Sequence, residues 1–402
     1  MPAPSGPLVT LLPVPDALAR LLALGSALPV EQAPLVTALG RTLASPVHAL
    51  RTQPAADLSA MDGYALRFAE LRQPLTVIGE AAAGGASFAI AAGQAARIFT
   101  GAAVPDGADC ILIQEEAARD GAVLTLAGDG PSGPGAHIRR AGSDFRAGDI
   151  LLAQGTPVTA AAVALAAAGG HAVLPVRRRP RIAILSTGNE LVPPGAPVTG
   201  VQLPSSNAPM LAALLARLPV DVQDRGIVRD DLALLTAAVR DAADWADILV
   251  TTGGASVGDH DLVRPALLAA GAEIDFWKIA LKPGKPLMAG RLGAMVALGL
   301  PGNPVSAYVT ALLFLLPLAA HLVDAGHLLP TPEPRLLATA LPATGPRREY
   351  LRAADRDGHA CPLTGQDSAA LRRLPEADLL ILRESHSPPA PAGSIVTAIR
   401  IA

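Results

Sequence analysis

Between residues 181 and 278, short β-branched and leucine runs alternate with stretches of helical apolar spacing, and this alternation most constrains the fold. Residues 181–186 (RIAILS) read as a buried strand that stops at Thr187-Gly188-Asn189-Glu190. Ser205-Ser206-Asn207 reads as the cap of a helix running to about residue 215. Residues 220–228 form the next strand, and Asp230-Asp231 cap a helix with Leu232, Leu235 and Val239 on one face. A third strand, 248–250, runs into Thr251-Thr252-Gly253-Gly254 and the polar series Ser256, Gly258, Asp259, His260 and Asp261, ahead of a helix over 262–270. Residues 274–278 close the series. Such alternation specifies a doubly wound parallel sheet. It puts the TGNEL, RDD and GGASVGDHD loops at strand carboxyl ends, along one crevice.

A strand, a glycine turn and then polar groups before a helix is how open α/β sheets hold phosphates. An ordinary tight βα loop has the same signature. Two acids beside such a loop favour a divalent metal over bare anion binding.

The flanking sequence predicts further domains. Residues 16–24 have helical spacing (Leu18, Leu21, Leu22), and 30–39 read as a second helix ended by Gly40. Both are expected to pack with the alanine-rich helix near 159–168, giving a discontinuous helical hinge domain of 1–48 plus 150–178. The insertion, 49–149, has alternating strands at 75–78, 95–98, 110–113 and 123–126 and reads as a small β domain. Within it SAMDGYALR presents Asp62 beside Gly63, and HIRRAGSDFRAGD brings Arg139, Arg140 and Asp144 close in sequence. An acid beside glycine is, by itself, a turn. The α/β domain is expected over 179–328 and a C-terminal β domain over 329–402.

Two motifs remain. KIALKPGKPLMAG (278–290) places Lys278, Lys282 and Lys285 in one loop, where three ammonium groups repel unless they face an anion or water. GLPGNPVSAYV (299–309) leads Pro301-Gly302-Asn303-Pro304 into a helix, with proline well placed at its start.

Composition limits the functional classes. A net charge of -3 leaves no basic footprint for nucleic acid. The 38 glycines and 38 prolines, against about 12% of an average chain, exclude a simple helical bundle. Cys110 and Cys361 stand far apart without a C-x-x-C partner, which excludes a cysteine zinc site and fits a reducing, cytoplasmic setting. The proline-broken N-terminus lacks the basic region of a signal peptide. The apolar runs 157–176 and 309–323 read as buried helices rather than membrane spans. Phosphate-loop, dinucleotide, zinc-protease and nucleophile-elbow motifs are missing.

Seven segments in this order, SAMDGYA, IFTGAAVPDGADCILIQEE, STGNEL, SSNAPML, GGASVGDHD, ALKPGKP and GLPGNPVS, resemble the molybdopterin molybdenumtransferases, the MoeA-type enzymes similar to the E domain of gephyrin. The resemblance spans nearly the whole chain. It implies an elongated multidomain protein that takes adenylylated molybdopterin and molybdate to molybdenum cofactor and AMP, with Mg2+. It also implies a homodimer whose cleft lies between the α/β domain of one subunit and the β insertion of the other, with exchange partners among other cofactor-biosynthesis proteins. Matched by motif, the acidic and basic site residues are Asp62, Asp144, Glu190, Asp230, Asp261, Lys278 and Lys282. Thr100, Ser206, Asn207, Gly253, Gly254, Ser256, Lys285, Pro301 and Pro304 would contact pterin phosphate or nucleotide, and Glu190, Asp230 and Asp261 would hold the metal. Asn189 stands where the family often has an aspartate, which puts a metal-ligand role at that position in doubt. The rivals are the related adenylyltransferase, whose loop typically reads GGTG rather than GGASVGDHD, and a non-catalytic molybdopterin-binding scaffold.

Overall fold

The computed structural model describes residues 11–86, 88–253 and 262–401. The chain divides into two compact units.

One unit comprises Gln32–Leu39 and Ser45–Pro175. Its centre is a six-stranded sheet in the order Cys110–Ile113, Gly63–Leu66, Gln94–Ile98, Leu75–Ala81, Val123–Leu126 and Ala117–Asp120. Side chains alternate across it as the period-2 pattern requires. Tyr64, Leu66, Leu75, Leu112 and Leu124 pack on one face, and Ala65, Ala96, Ile98 and Ile111 on the other. Gly63 is a packing glycine rather than a turn residue, since a Cβ there would lie 2.0 Å from the Leu112 carbonyl oxygen. The helix Ala160–Ala168 is capped by Thr159, whose hydroxyl accepts from the Ala162 amide at 3.2 Å.

The expected helix over 30–39 is instead the strand Val30–Pro34 followed by turns. Pro34 falls mid-way through the would-be helix, where it lacks a donor and clashes with the preceding turn.

The other unit comprises Met1–Glu31, Gly40–Ala44 and Val176–Ala402. Its first sheet has the order Asp221–Val228, Arg181–Thr187, Ile248–Thr252, Met295–Leu300, Met288–Leu292 and Glu273–Trp277. The first four strands are parallel, as the alternation demands. Met288–Leu292 runs antiparallel to both its neighbours, so the sheet is mixed at that edge. The helix Val14–Leu24 buries Ala17 and Leu21 in the core formed by Ile182, Val250, Leu298 and Phe314. That helix belongs to the compact unit of the α/β core, and the helix Ala160–Ala168 to the other unit. The apolar helical stretch Pro304–His321 is mostly buried in the same core.

A second sheet runs Leu281–Lys282, Arg348–Arg356, His359–Pro362, Pro332–Leu337, Ile395–Arg400 and Leu379–Arg383. An extra pairing of Arg348–Arg356 with Leu379–Arg383 closes the last five into a ring. The lysine segment is thus an outer strand of this sheet.

Candidate functional site

Parallel neighbours put their carboxyl ends side by side, and here hydrogen bonds tie the ends together. Thr187 donates its hydroxyl to Asp230 Oδ1 at 2.7 Å. The Asn189 amide donates to Asp230 Oδ2, and the Asp230 amide to Asn189 Oδ1, each at 3.2 Å. This reciprocal clamp fixes the Asp230 carboxylate between two loops. The exposed Glu190 folds its carboxylate back over Gly188, with oxygens 2.7 and 2.8 Å from where a Cβ would stand. Beside this turn is a cavity of about 510 Å³ lined by Ser186, Asn189, Gln202, Ser205, Asp224 and Arg229, among others.

The next two strand ends meet through glycines. Gly253 has φ +92 and would carry a Cβ 2.2 Å from the Thr187 carbonyl oxygen. Only glycine fits there. A Cβ on Gly302 would lie 3.3 Å from the Gly253 Cα. Asn207 locks the same place: its Nδ2 donates to Thr252 Oγ1 at 2.6 Å and to the Gly302 carbonyl at 2.8 Å. Its Oδ1 is buried without a partner among the described residues, as is Thr251 Oγ1. The predicted serine cap is not made. The helix starts at Asn207, Ser206 makes no side-chain cap bond, and Ser205 donates to Ser186 Oγ at 3.3 Å. Pro304 opens the following helix at its first position. Gly254, Ser256 and Asp261 lie outside the described residues.

The three lysines have different surroundings. Lys278, at φ +79, holds its ammonium 4.4 Å from the Trp277 ring centroid. Lys282 donates to Glu349 Oε1 at 2.9 Å, and Lys285 is exposed. Sequence reasoning missed Glu349, and it also missed the contribution of the C-terminal sheet at the PGNP turn. Asn303 Nδ2 donates to Ser368 Oγ at 3.1 Å. The loop bearing Ser368 is organised by Arg352, 2% exposed, which donates to the carbonyls of Gly365, Asp367 and Ala370. A lone arginine in an alternating strand carries no signal of this in sequence.

In the other unit, Asp62 accepts from the Thr100 amide at 2.7 Å and the Thr100 hydroxyl at 2.8 Å. These bonds, with Arg97 nearby, hold its carboxyl below the usual carboxylate range. Asp144 is exposed.

Among the described residues no three carboxylate, histidine or cysteine groups converge as a metal centre. Glu190 and Asp230 nonetheless flank one turn and offer only hard oxygen donors, a set that fits magnesium, which needs one or two carboxylates when phosphates and water complete its shell.

Comparison with known proteins gives three matches along the chain. Residues 12–170 match the MoeA N-terminal region (domain I and II), 183–321 the family described as "Probable molybdopterin binding domain", and 335–401 the MoeA C-terminal region (domain IV). A molybdopterin molybdenumtransferase of Haemophilus influenzae is 39% identical over 282 residues, 67% of this chain and 67% of that protein. Molybdopterin molybdenumtransferase 2 of Mycobacterium tuberculosis is 39% identical over 297 residues, 71% and 73% of the two chains. The crystal structure of a molybdopterin biosynthesis MoeA protein from Pyrococcus horikosii superposes with a TM-score of 0.86 at 28% identity, covering 97% of this chain and 99% of that one.

Proposed function

The chain belongs to the molybdopterin molybdenumtransferase family, and on that premise we propose that it inserts molybdenum from molybdate into adenylylated molybdopterin, releasing AMP. The observation that carries this reading is the convergence of strand ends. Thr187, Asn189 and Asp230 are clamped together, Gly253 lets its strand end pack against the Thr187 carbonyl, and a cavity lined in part by Ser186, Asn189, Gln202 and Arg229 adjoins the clamp. Backbone amides at the glycine loop suit a phosphate. Lys278, Lys282 and Lys285 supply cations for the molybdate or phosphate oxyanion. Asp62, kept ionised by Thr100, and Asp144 serve the same reaction as acidic groups. Ser206, Pro301 and Pro304 shape the loops that receive the pterin phosphate or nucleotide.

Glu190 and Asp230 would hold a magnesium ion, with Asp261 as the further carboxylate of the set. When bound, the ion supplies charge neutralisation at the phosphoanhydride oxygens. The chain's own part is to orient the carboxylates and to keep Asp230 from rotating.

We further propose a cytoplasmic homodimer. Val36, Leu39, Leu50 and Ile150, all in one unit, are exposed apolar side chains that a second copy would cover. Sedimentation equilibrium at micromolar concentration is expected to give twice the chain mass; a monomer would sink this part.

The reaction is tested with purified protein, adenylylated molybdopterin, molybdate and magnesium, reading AMP release. Turnover in the wild type with severe loss in Asp230→Asn is expected. Tight binding of the pterin without AMP release would favour the scaffold, and pyrophosphate release from ATP plus molybdopterin the adenylyltransferase.

A further inference from the structure

Three charged residues of the second sheet stand in one row across three strands. Lys282 is the register partner of Glu349, and Glu349 is the register partner of Arg383. Directly opposed residues project from the same face of a sheet, so the signs along this face run positive, negative, positive. The adjacent pair of Arg348 with Glu384 starts one residue earlier and lies on the opposite face.

The members of the row differ in solvent access. The Lys282 side chain is 51% exposed and the Glu349 side chain 15%, while Arg383 is 6% exposed. Lys282 Nζ donates to Glu349 Oε1 at 2.9 Å. Arg383 donates through Nη2 to the Pro388 carbonyl, whereas its Nη1 is buried and makes no hydrogen bond among the described residues. An idle N–H group on a buried guanidinium is costly to leave unpaired. The carboxylate opposite it in register is Glu349, which is engaged by the lysine. Lys282 is also the ammonium that an oxyanion substrate would need on the reading above, and its ion pair with Glu349 competes with an arriving oxyanion. Glu349 would then be a poorly solvated anion without a lysine, facing a guanidinium with a free donor.

We propose that Glu349 and Arg383 set how readily Lys282 captures an oxyanion: Glu349 competes for the Lys282 ammonium until an oxyanion takes it, and Arg383 then receives the released carboxylate. This rests on the reading that Lys282 binds the oxyanion. The exchange makes no covalent bond and moves no proton; one ion pair is replaced by two.

The two positions should therefore have opposite effects. Glu349→Gln removes the competitor for Lys282 and should tighten molybdate binding by about three- to tenfold, the range of a partly exposed ion pair. Arg383→Gln removes the site that accepts Glu349 and should weaken binding by a similar factor, with Arg383→Lys restoring part of the loss. The measurement is calorimetric titration of the full-length protein with molybdate and with sulfate, alongside thermal melts of each variant. Weakening in both Glu349→Gln and Arg383→Gln would show a merely structural role and overturn the proposal. Equal tightening by Glu349→Gln in wild-type and Lys282→Ala backgrounds would show a general charge effect and overturn it too. A loss in Lys282→Ala with unchanged affinity in Glu349→Gln would overturn the proposal alone. No loss in Lys282→Ala would remove the oxyanion reading of that lysine, and the proposal with it.

Discussion

Asn207→Asp changes one side-chain atom for another of similar size, yet it should be among the more damaging substitutions near the site. Asn207 Nδ2 donates to the Gly302 carbonyl at 2.8 Å and to Thr252 Oγ1 at 2.6 Å, with the residue 8% exposed. A hydroxyl can turn to donate, so the Thr252 contact survives an acceptor. The Gly302 contact does not, because two oxygens then face each other. One net hydrogen bond is lost, about 1 kcal/mol, and the stranded carbonyl adds about 1–3 kcal/mol, so the cost near neutral pH is about 2–4 kcal/mol. Burial raises the pKa of the introduced carboxyl above its unfolded value of about 3.9. The folded state then binds the proton more tightly, so the protonation contribution is present in full below the unfolded pKa and is lost as pH rises through the folded one. The protonated group can also donate to the Gly302 carbonyl. The deficit against wild type should accordingly be small at pH 4.5 and largest at pH 8. Asn207→Ala should show a deficit of about 1–3 kcal/mol that does not change with pH. Urea unfolding followed by the fluorescence of Trp245 and Trp277, both in the same compact unit, measures this. A deficit for Asn207→Asp that is equal at the two pH values would refute the assigned donor geometry.

Gly253→Ala should cost about 2–4 kcal/mol in the same assay, since the Cβ meets the Thr187 carbonyl at 2.2 Å and the backbone sits at φ +92; Gly302→Ala, with its nearest contact at 3.3 Å, should cost under about 1 kcal/mol. Thr100→Ala should move the Asp62 carboxyl back up toward the ordinary carboxylate range, read by carboxyl-carbon NMR titration. Because the native Asp62 pKa is depressed, its stabilisation is present above the unfolded pKa and lost as pH falls through the folded one, so the stability gap between wild type and variant should close in acid. Cys110 is buried, with its thiol pushed up to about 12, so iodoacetamide should label only the half-buried Cys361 in the native protein; labelling of Cys110 at the same rate would contradict its packing.

The legible parts of the fold are those where burial imposes a period. The strands near 75 and 123 emerge because buried and more exposed residues alternate along them, and those near 95 and 110, with 181–186 and 248–250, emerge because both faces are covered. The helix read over 30–39 failed because apolar spacing was given more weight than Pro34, which interrupts the backbone ladder. The antiparallel edge was not legible either. Met288–Leu292 and Met295–Leu300 form a hairpin around Gly293, beyond the point where the strand–helix alternation ends at 278. In the α/β unit, the polar loop residues at the strand ends, Asp230 and Asn207 among them, could be named from sequence. Their partners could not. Glu349 lies 67 residues from Lys282 and Ser368 lies 65 from Asn303, and such pairings are set by the register and folding of a sheet that no local pattern encodes.

Asn189 shows how a departure from the family pattern works physically. An aspartate there could still accept the Asp230 amide through a carboxylate oxygen, so the clamp alone does not require an amide. What changes is charge. A carboxylate in direct contact with Asp230 and next to Glu190 in sequence would add like-charge repulsion, on the order of 3 kcal/mol for a pair about 5 Å apart at an effective dielectric of about 20. That repulsion would be relieved by a bound cation and aggravated by an incoming oxyanion. With asparagine the clamp keeps its geometry while the turn carries one negative charge fewer. On the proposed function, the site of this chain should therefore depend less on a cation to hold its carboxylates in place, and an anionic substrate at the same turn should meet a lower electrostatic barrier. Of the carboxylates that remain, Asp230 is held by its hydrogen bonds from Thr187 and Asn189, and Glu190 lies over Gly188.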